Sequence, residues 1–322
     1  MLEFGCYPTP VACLEQLSTA KARLWVKRDD LTNPLYGGSK VRKLERLLQD
    51  AKSLGRTRIV TLGAVGSHHV LATAVFGKLA NLQVEAIVLP RPRSPHVLQT
   101  VRASIAQGAL LVPAPTYAAG ARQLANRAAQ GAYAIPVGGS NLLGTRGVMS
   151  AAAELEQQVR SGLLPEPDLI VVALGSGGTA AGLTAGLMRT GLGARVLAVA
   201  TAEPVKVFAY AARRLAEELV ERSSREAVPT RLEIERGQLG AGYGRPTRAS
   251  AHATREAARS GLFLDDTYTA KAFAAALARI ALGRERNVLF WHTLSGAAMD
   301  PLLLGAPQEQ ELPSEVRRLA HD

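Results

Sequence analysis

A chain of 322 residues, 47% hydrophobic and only 20% charged, can bury a sizeable core and has room for two compact units. That excludes a disordered or fibrous protein. The net charge of +11 rests mostly on arginines scattered from Arg23 to Arg318, without the aromatic interleaving, zinc spacing or helix-turn-helix pattern of nucleic-acid binders, so a solvated basic surface is expected.

In chain order, the opening "MLEFGCYPTP" lacks the basic region and apolar run of a leader, and no uninterrupted apolar stretch is long enough to span a bilayer. Cys6 and Cys13 suit a reducing compartment better than a disulfide scaffold. A cytoplasmic protein is expected, with no membrane or nucleic-acid partner and no metal site. Short β-rich runs then alternate with helical ones: "IVTLGAVGSHH" then "VLATAVFGKLA", "VEAIVLP", "ALLVP" then "TYAAGARQLANRAAQ", and "YAIPVGGSNLLG" then "VMSAAAELEQQV". Later come "DLIVVALGSGGTAAGLTAGL", "ARVLAVATAEP" and "NVLFWHTLSG". Continuous apolar strands separated by helices predict an α/β protein with open parallel sheets covered on both faces. The segment from Ala212 to Gly244 breaks this rhythm and reads as an exposed charged helix and a loop.

Three loops carry chemistry, because such sheets gather it at the carboxyl ends of their strands. In "ALGSGGTAAGL", Ala173 to Leu183, glycines let backbone N–H groups converge on an anion at the start of a helix, which suits a phosphate. Gly175, Gly177 and Ala180 also satisfy a loose dinucleotide fingerprint, with Glu203 placed to hold a ribose. A tight turn between strand and helix explains the glycines as well. In "AVGSHHVLATA", Ser67 is a natural N-cap, and with the histidines behind it is equally a carboxylate cradle. In "LYGGSKVRKLERLL", Val41, Leu44, Leu47, Leu48 and Ala51 form one helical face; Lys40 falls about 40° from its centre and Lys43 about 100° away. Lys40 is therefore expected to point inward and Lys43 to snorkel from the flank. Burial would turn Lys40 toward a nucleophilic amine, unless a frayed helix start lets it reach solvent.

The ordered series "KRDDLTNPLYGGSKVRKLERLL", "GSHH", "IPVGGSNLLGTRGV", "GSGGTAAGL", "GAGYGRPT", "LDDTYTAKA" and "VLFWHT" resembles the 1-aminocyclopropane-1-carboxylate deaminase and D-cysteine desulfhydrase family of pyridoxal-phosphate enzymes. The resemblance implies the fold type II, tryptophan-synthase-β-like architecture. It implies a large cofactor domain from residues 1–42 and 149–322, a small substrate-closing domain at 43–148, and a homodimer. Lys40 matches the lysine that binds pyridoxal 5'-phosphate covalently, and Lys43 a basic neighbour. Gly175, Ser176, Gly177, Gly178 and Thr179 match the phosphate loop. Ser67, Tyr243 and Tyr268 match groups facing the substrate, and Thr269 the partner of the ring nitrogen. Thr293 follows the last strand's His292, as in the desulfhydrase branch.

With these groups Lys40 would act as general base toward a small amino acid. D-cysteine, or a related β-substituted amino acid, would eliminate its β-substituent to give pyruvate and ammonia. A cyclopropane substrate would instead need a nucleophile or acid from Tyr268 or Ser67. Thr269 and Thr293, where the deaminase branch has glutamate and leucine, favour elimination. Three departures bear on substrate identity: His68 replaces an asparagine that bonds the cofactor's phenolic oxygen, Val70 and Leu71 replace polar residues, and Leu294 and Ser295 replace a glycine pair. Two other readings follow from the same residues, a nicotinamide-dependent oxidoreductase using Gly175 and Glu203, and a catalytically silent homologue that keeps the cofactor.

Overall fold

The computed structural model describes residues 2–321, whose strands form two main sheets. The larger has six strands in the spatial order Val11–Cys13, Arg23–Lys27, Asn287–Trp291, Leu169–Leu174, Arg195–Ala200 and Leu232–Glu235. All its pairings are parallel except the first, where Val11–Cys13 runs antiparallel to Arg23–Lys27. The smaller has four parallel strands in the order Leu110–Pro113, Gln83–Leu89, Arg58–Ala64 and Tyr133–Ile135. This is the expected α/β architecture. Every strand of the smaller sheet comes from one continuous stretch, whereas the larger sheet draws strands from both sides of it.

Successive residues of the central strand Leu169–Leu174 point to opposite faces, and both faces are covered. Leu169 and Val171 pack with Leu24, Val26 and Phe290 under helices Arg248–Arg259 and Thr269–Leu282, through Ala253 and Phe273. Ile170 and Val172 pack with Val196 and Trp291 under helices Leu142–Arg160 and Gly178–Leu187, through Leu155 and Leu183. A strand buried on both sides needs apolar residues at every position, which is why "LIVVAL" shows no alternation.

The segment from Ala212 to Gly244 does not break the rhythm. Helix Val205–Leu219 buries Ala212, Ala216 and Leu219, and Leu232–Glu235 then adds a sixth strand parallel to Arg195–Ala200. Being a short edge strand, it leaves half its residues polar, so "LEIE" carries no apolar run.

Helix Lys40–Ser53 joins the two sheets. Its face of Val41, Leu44, Leu47, Leu48 and Ala51 packs with Ile59, Leu71 and Phe76 of the smaller-sheet side. Its other side is pinned by charge: Arg42 donates to Asp29 at 2.9 and 2.7 Å and to Glu154 at 2.9 Å, and Lys27 shares Glu154. Gly147, on helix Leu142–Arg160, touches the same helix, since a Cβ there would overlap the Arg42 carbonyl oxygen. Among the described residues no helix is long and apolar enough to cross a membrane.

Candidate active site

The carboxyl ends of the larger sheet's strands, the start of helix Lys40–Ser53 and the turn before helix His68–Leu79 surround a cavity. Its wall brings together Lys40, Ser67, His68, Gly175, Ser176, Gly177, Thr179, Tyr268, Thr269, Thr293, Leu294 and Ser295. Gly178 and Tyr243 stand behind the wall: Gly178 lies against Lys43 and Ser140, and the Tyr243 hydroxyl accepts from that of Tyr268 at 2.9 Å. Glu203 is exposed, and its carboxylate accepts from the Val205 N–H at 2.8 Å, capping its own helix.

Lys40 points inward as helical geometry assigns it, but Lys43 does not snorkel to solvent. Lys43 is only 1% exposed, while Lys40 is half-buried. The flank that a lone helix leaves to solvent is covered here by the Val137–Gly139 turn and the start of helix Gly178–Leu187. Lys43 accordingly donates to the Gly138 carbonyl at 3.1 Å and the Ser140 hydroxyl at 3.0 Å. Lys40, nearer the apolar face, opens onto the cavity. Burial holds the Lys40 amine below the ordinary lysine range, with Asp265 pulling it back. Burial, and then the like charge of Lys40, hold Lys43 well below it.

The residues of this corner suit an anion. Helix Gly178–Leu187 begins after Gly177 at φ +87° and has no side-chain cap, so its first N–H groups are left for a ligand. The Ser140 and Ser176 hydroxyls meet at 2.8 Å beside it. Lys43 is bonded to neutral oxygens, and a Cβ on Gly178 would come within 2.6 Å of its Nζ. A buried ammonium, two hydroxyls and a free helix start together fit a phosphate. Gly37 and Gly38 have another reason to be glycine: a Cβ on Gly37 would overlap the Asp30 carbonyl, and one on Gly38 would lie 2.6 Å from that of Thr293. They let the chain squeeze between two backbones on its way to Lys40.

Across the cavity, Ser67 is a true N-cap, its Oγ accepting from the His69 N–H at 3.2 Å, and its own proton stays available. His68 has both nitrogens engaged, Nδ1 with the Tyr36 hydroxyl at 2.7 Å and Nε2 with His96 Nε2 at 2.9 Å. Neither is left for a cofactor oxygen. His69 Nε2 lies 2.8 Å from Thr61 Oγ1, whose proton goes to the Ile135 carbonyl, so Nε2 carries the hydrogen and Nδ1 is a bare acceptor. That Nδ1 is buried without a partner among the described residues. Burial, then Lys40 and Lys43, push the ring down to about 3, which keeps it neutral.

Asp265 accepts from the backbone N–H groups of Thr267, Tyr268 and Thr269 and from the Thr269 hydroxyl at 2.7 Å, four donors that hold it as a carboxylate. With its proton on Asp265, Thr269 offers the cavity a lone pair. Burial, then Tyr243, raise Tyr268 well above the usual phenol range. Tyr36, His96, Ser140 and Asp265 carry no role in the sequence reading, and His69 enters it only as one of the two histidines behind Ser67. His69 and Asp265 lie inside the quoted motifs, Asp265 at a turn four residues ahead of its helix; His96 sits on a separate helix with no local signal.

Fold and cavity together define the class: an α/β protein whose cleft combines a corner suited to an anion with a lysine held below its usual proton affinity. The pyridoxal-phosphate dependent enzyme family model matches residues 2–293, and the chain belongs to that family. It is 34% identical over 289 residues to the nocardicin C-9' epimerase of Nocardia uniformis, covering 85% of this chain and 86% of that one. It is 33% identical over 323 residues to the D-cysteine desulfhydrase of Klebsiella pneumoniae, covering 92% and 94%. A solved structure of an ACC deaminase homologue superposes with a TM-score of 0.79 at 28% identity, over 94% of this chain and 95% of the other. Pyridoxal phosphate is the family's cofactor, which sets aside the nicotinamide reading, as does the outward-facing Glu203.

Proposed function

We infer that the protein is a pyridoxal-phosphate-dependent lyase for a small amino acid carrying a leaving group on Cβ, with desulfhydrase-type elimination as its reaction. The residues at and just behind the cavity wall suit the cofactor: Lys43, Ser140, Ser176 and the N–H groups from Gly177 to Thr179 would hold its phosphate, and Lys40 its carbonyl end. When bound, pyridoxal phosphate supplies a ring that takes up the electron pair left at Cα. Lys40, its amine kept short of its usual proton affinity by burial, is suited to receive the Cα proton. The first turn of helix His68–Leu79 and the Ser67 hydroxyl offer donors for the substrate carboxylate.

Tyr268 is the observation that favours elimination over ring opening. Opening a cyclopropane, which has no Cα proton to lose, calls on a nucleophile. Tyr268 is half-buried against Tyr243, and burial, Tyr243 and Asp265 all oppose its ionisation, with Arg91 alone favouring it. It stands in the cavity as a neutral phenol. The test is keto-acid release from D- and L-cysteine, both β-chloroalanines and 1-aminocyclopropane-1-carboxylate. Release from cysteine and chloroalanine of one hand is expected, with Lys40→Ala abolishing it together with the absorbance near the visible edge. Release from the cyclopropane alone would overturn the reading.

A further inference from the structure

Tyr36, His68 and His96 form an unbroken chain from the cavity wall outward. Tyr36 is 2% exposed and lines the cavity, as does His68, while His96 is only half-buried. The links are 2.7 Å from the Tyr36 oxygen to His68 Nδ1 and 2.9 Å from His68 Nε2 to His96 Nε2. Two ring nitrogens that close share one hydrogen, because two N–H groups would collide and two lone pairs would repel. Both rings also stand in the first turn of a helix, His68 opening His68–Leu79 and His96 second in Pro95–Ala106. Each helix directs its positive end at its histidine, which opposes imidazolium formation. Lys40 and Arg91 near the pair act the same way, against the carboxylates Asp265 and Asp266.

A neutral pair joined in this way has two arrangements. In one, the Tyr36 O–H points to His68 Nδ1, His68 Nε2–H points to His96, and His96 carries its hydrogen on Nδ1. In the other, His96 Nε2–H points to His68, His68 Nδ1–H points to Tyr36, and the Tyr36 hydrogen is turned to the cavity.

We propose that Tyr36, His68 and His96 are a proton path from solvent to the leaving group of the substrate, with Tyr36 the catalytic donor and His96 its outer relay. The Cα–H electron pair stays with the substrate as the proton passes to Lys40. The Cβ–X bond then breaks with its pair on X, and X takes the Tyr36 proton. Tyr36 is refilled from His68 Nδ1, His68 from His96 Nε2, and His96 Nδ1 from solvent. Both rings are neutral before and after. Delivery begins in the second arrangement and ends in the first, and passage of one proton outward restores the second.

The choice of X rests on the lyase reading, but the path itself can be tested without turnover. In protein labelled with 15N-histidine, His68 and His96 should be neutral at pH 7, each with Nδ1 and Nε2 shifts averaged between protonated and bare. An imidazolium at His68, or a single frozen tautomer there, would overturn the path. In the loaded enzyme, His96→Gln keeps a hydrogen bond but cannot pass a proton. The kcat ratio of cysteine to β-chloroalanine, whose chloride leaves unprotonated, should fall by roughly tenfold or more. Added imidazole should restore that ratio in His96→Ala. Equal slowing of both substrates would mark a structural role and sink the proposal. If neither substrate is turned over, it is the lyase reading that fails, and the histidine spectra alone decide the path.

Discussion

Lys43 shows what a single residue can conceal. Helical geometry alone assigns it to a solvated flank, yet the flank is covered by two loops whose sequences, "VGG" and "GSGG", say nothing of their proximity. A buried ammonium hydrogen-bonded to neutral oxygens costs stability unless an anion joins it. Lys43→Met, similar in volume, should therefore raise the stability of cofactor-free protein by about 1 kcal/mol while weakening pyridoxal-phosphate binding. Urea unfolding and cofactor titration check the two halves. The pH dependence follows from the lowered folded pKa: between that value and the unfolded pKa near 10.5, the unfolded chain binds more protons, so stability rises with pH. Lys40 contributes a rise of the same sign, and Lys43→Met should remove only part of it. Lys40 and Ser67 were legible because local periodicity and capping bear directly on them. His68 was legible as unusual, but its partners Tyr36 and His96 lie 32 and 28 residues away in sequence.

Elements were readable in proportion to how far their burial departs from the average. Strands Leu169–Leu174 and Asn287–Trp291 are covered on both faces and read as unbroken apolar runs, whereas Leu232–Glu235 at the edge was invisible. Contacts between elements were harder still to foresee. Gly147 lies in "NLLGTRGV" with no turn around it, and only the approach of two helices explains it. Gly147→Ala should push helix Leu142–Arg160 away from Arg42 and cost about 1–3 kcal/mol, as overpacking does. Because that displacement disturbs the Arg42, Asp29 and Glu154 cluster, the loss should appear as a lower melting temperature before any change in substrate preference. An unchanged melting temperature would mean that the helices have room to spare.

Across the whole molecule, the cavity is closed by groups from both sheets. Arg91 follows the Gln83–Leu89 strand of the smaller sheet, and its guanidinium donates to Thr267 Oγ1 at 2.9 Å and lies 5.1 Å from the centre of the Tyr243 ring. Both partners belong to loops on the larger sheet's side, so Arg91 ties the two sides of the cleft together. Arg91→Met should raise KM for the amino acid by roughly tenfold, equivalent to about 1.4 kcal/mol, with cofactor affinity little altered. A matching loss of cofactor affinity would show that the residue supports the whole cavity instead.

The 2.8 Å contact between Ser140 and Ser176 joins a loop that follows the smaller sheet to one that follows the larger. A phosphate bridging those hydroxyls and Lys43 would act as a staple between halves of the chain. Bound at a hundredfold excess over its dissociation constant, such a ligand adds about 2.7 kcal/mol to folding stability. Cofactor supply would then bear on how long the folded protein lasts as well as on how fast it works.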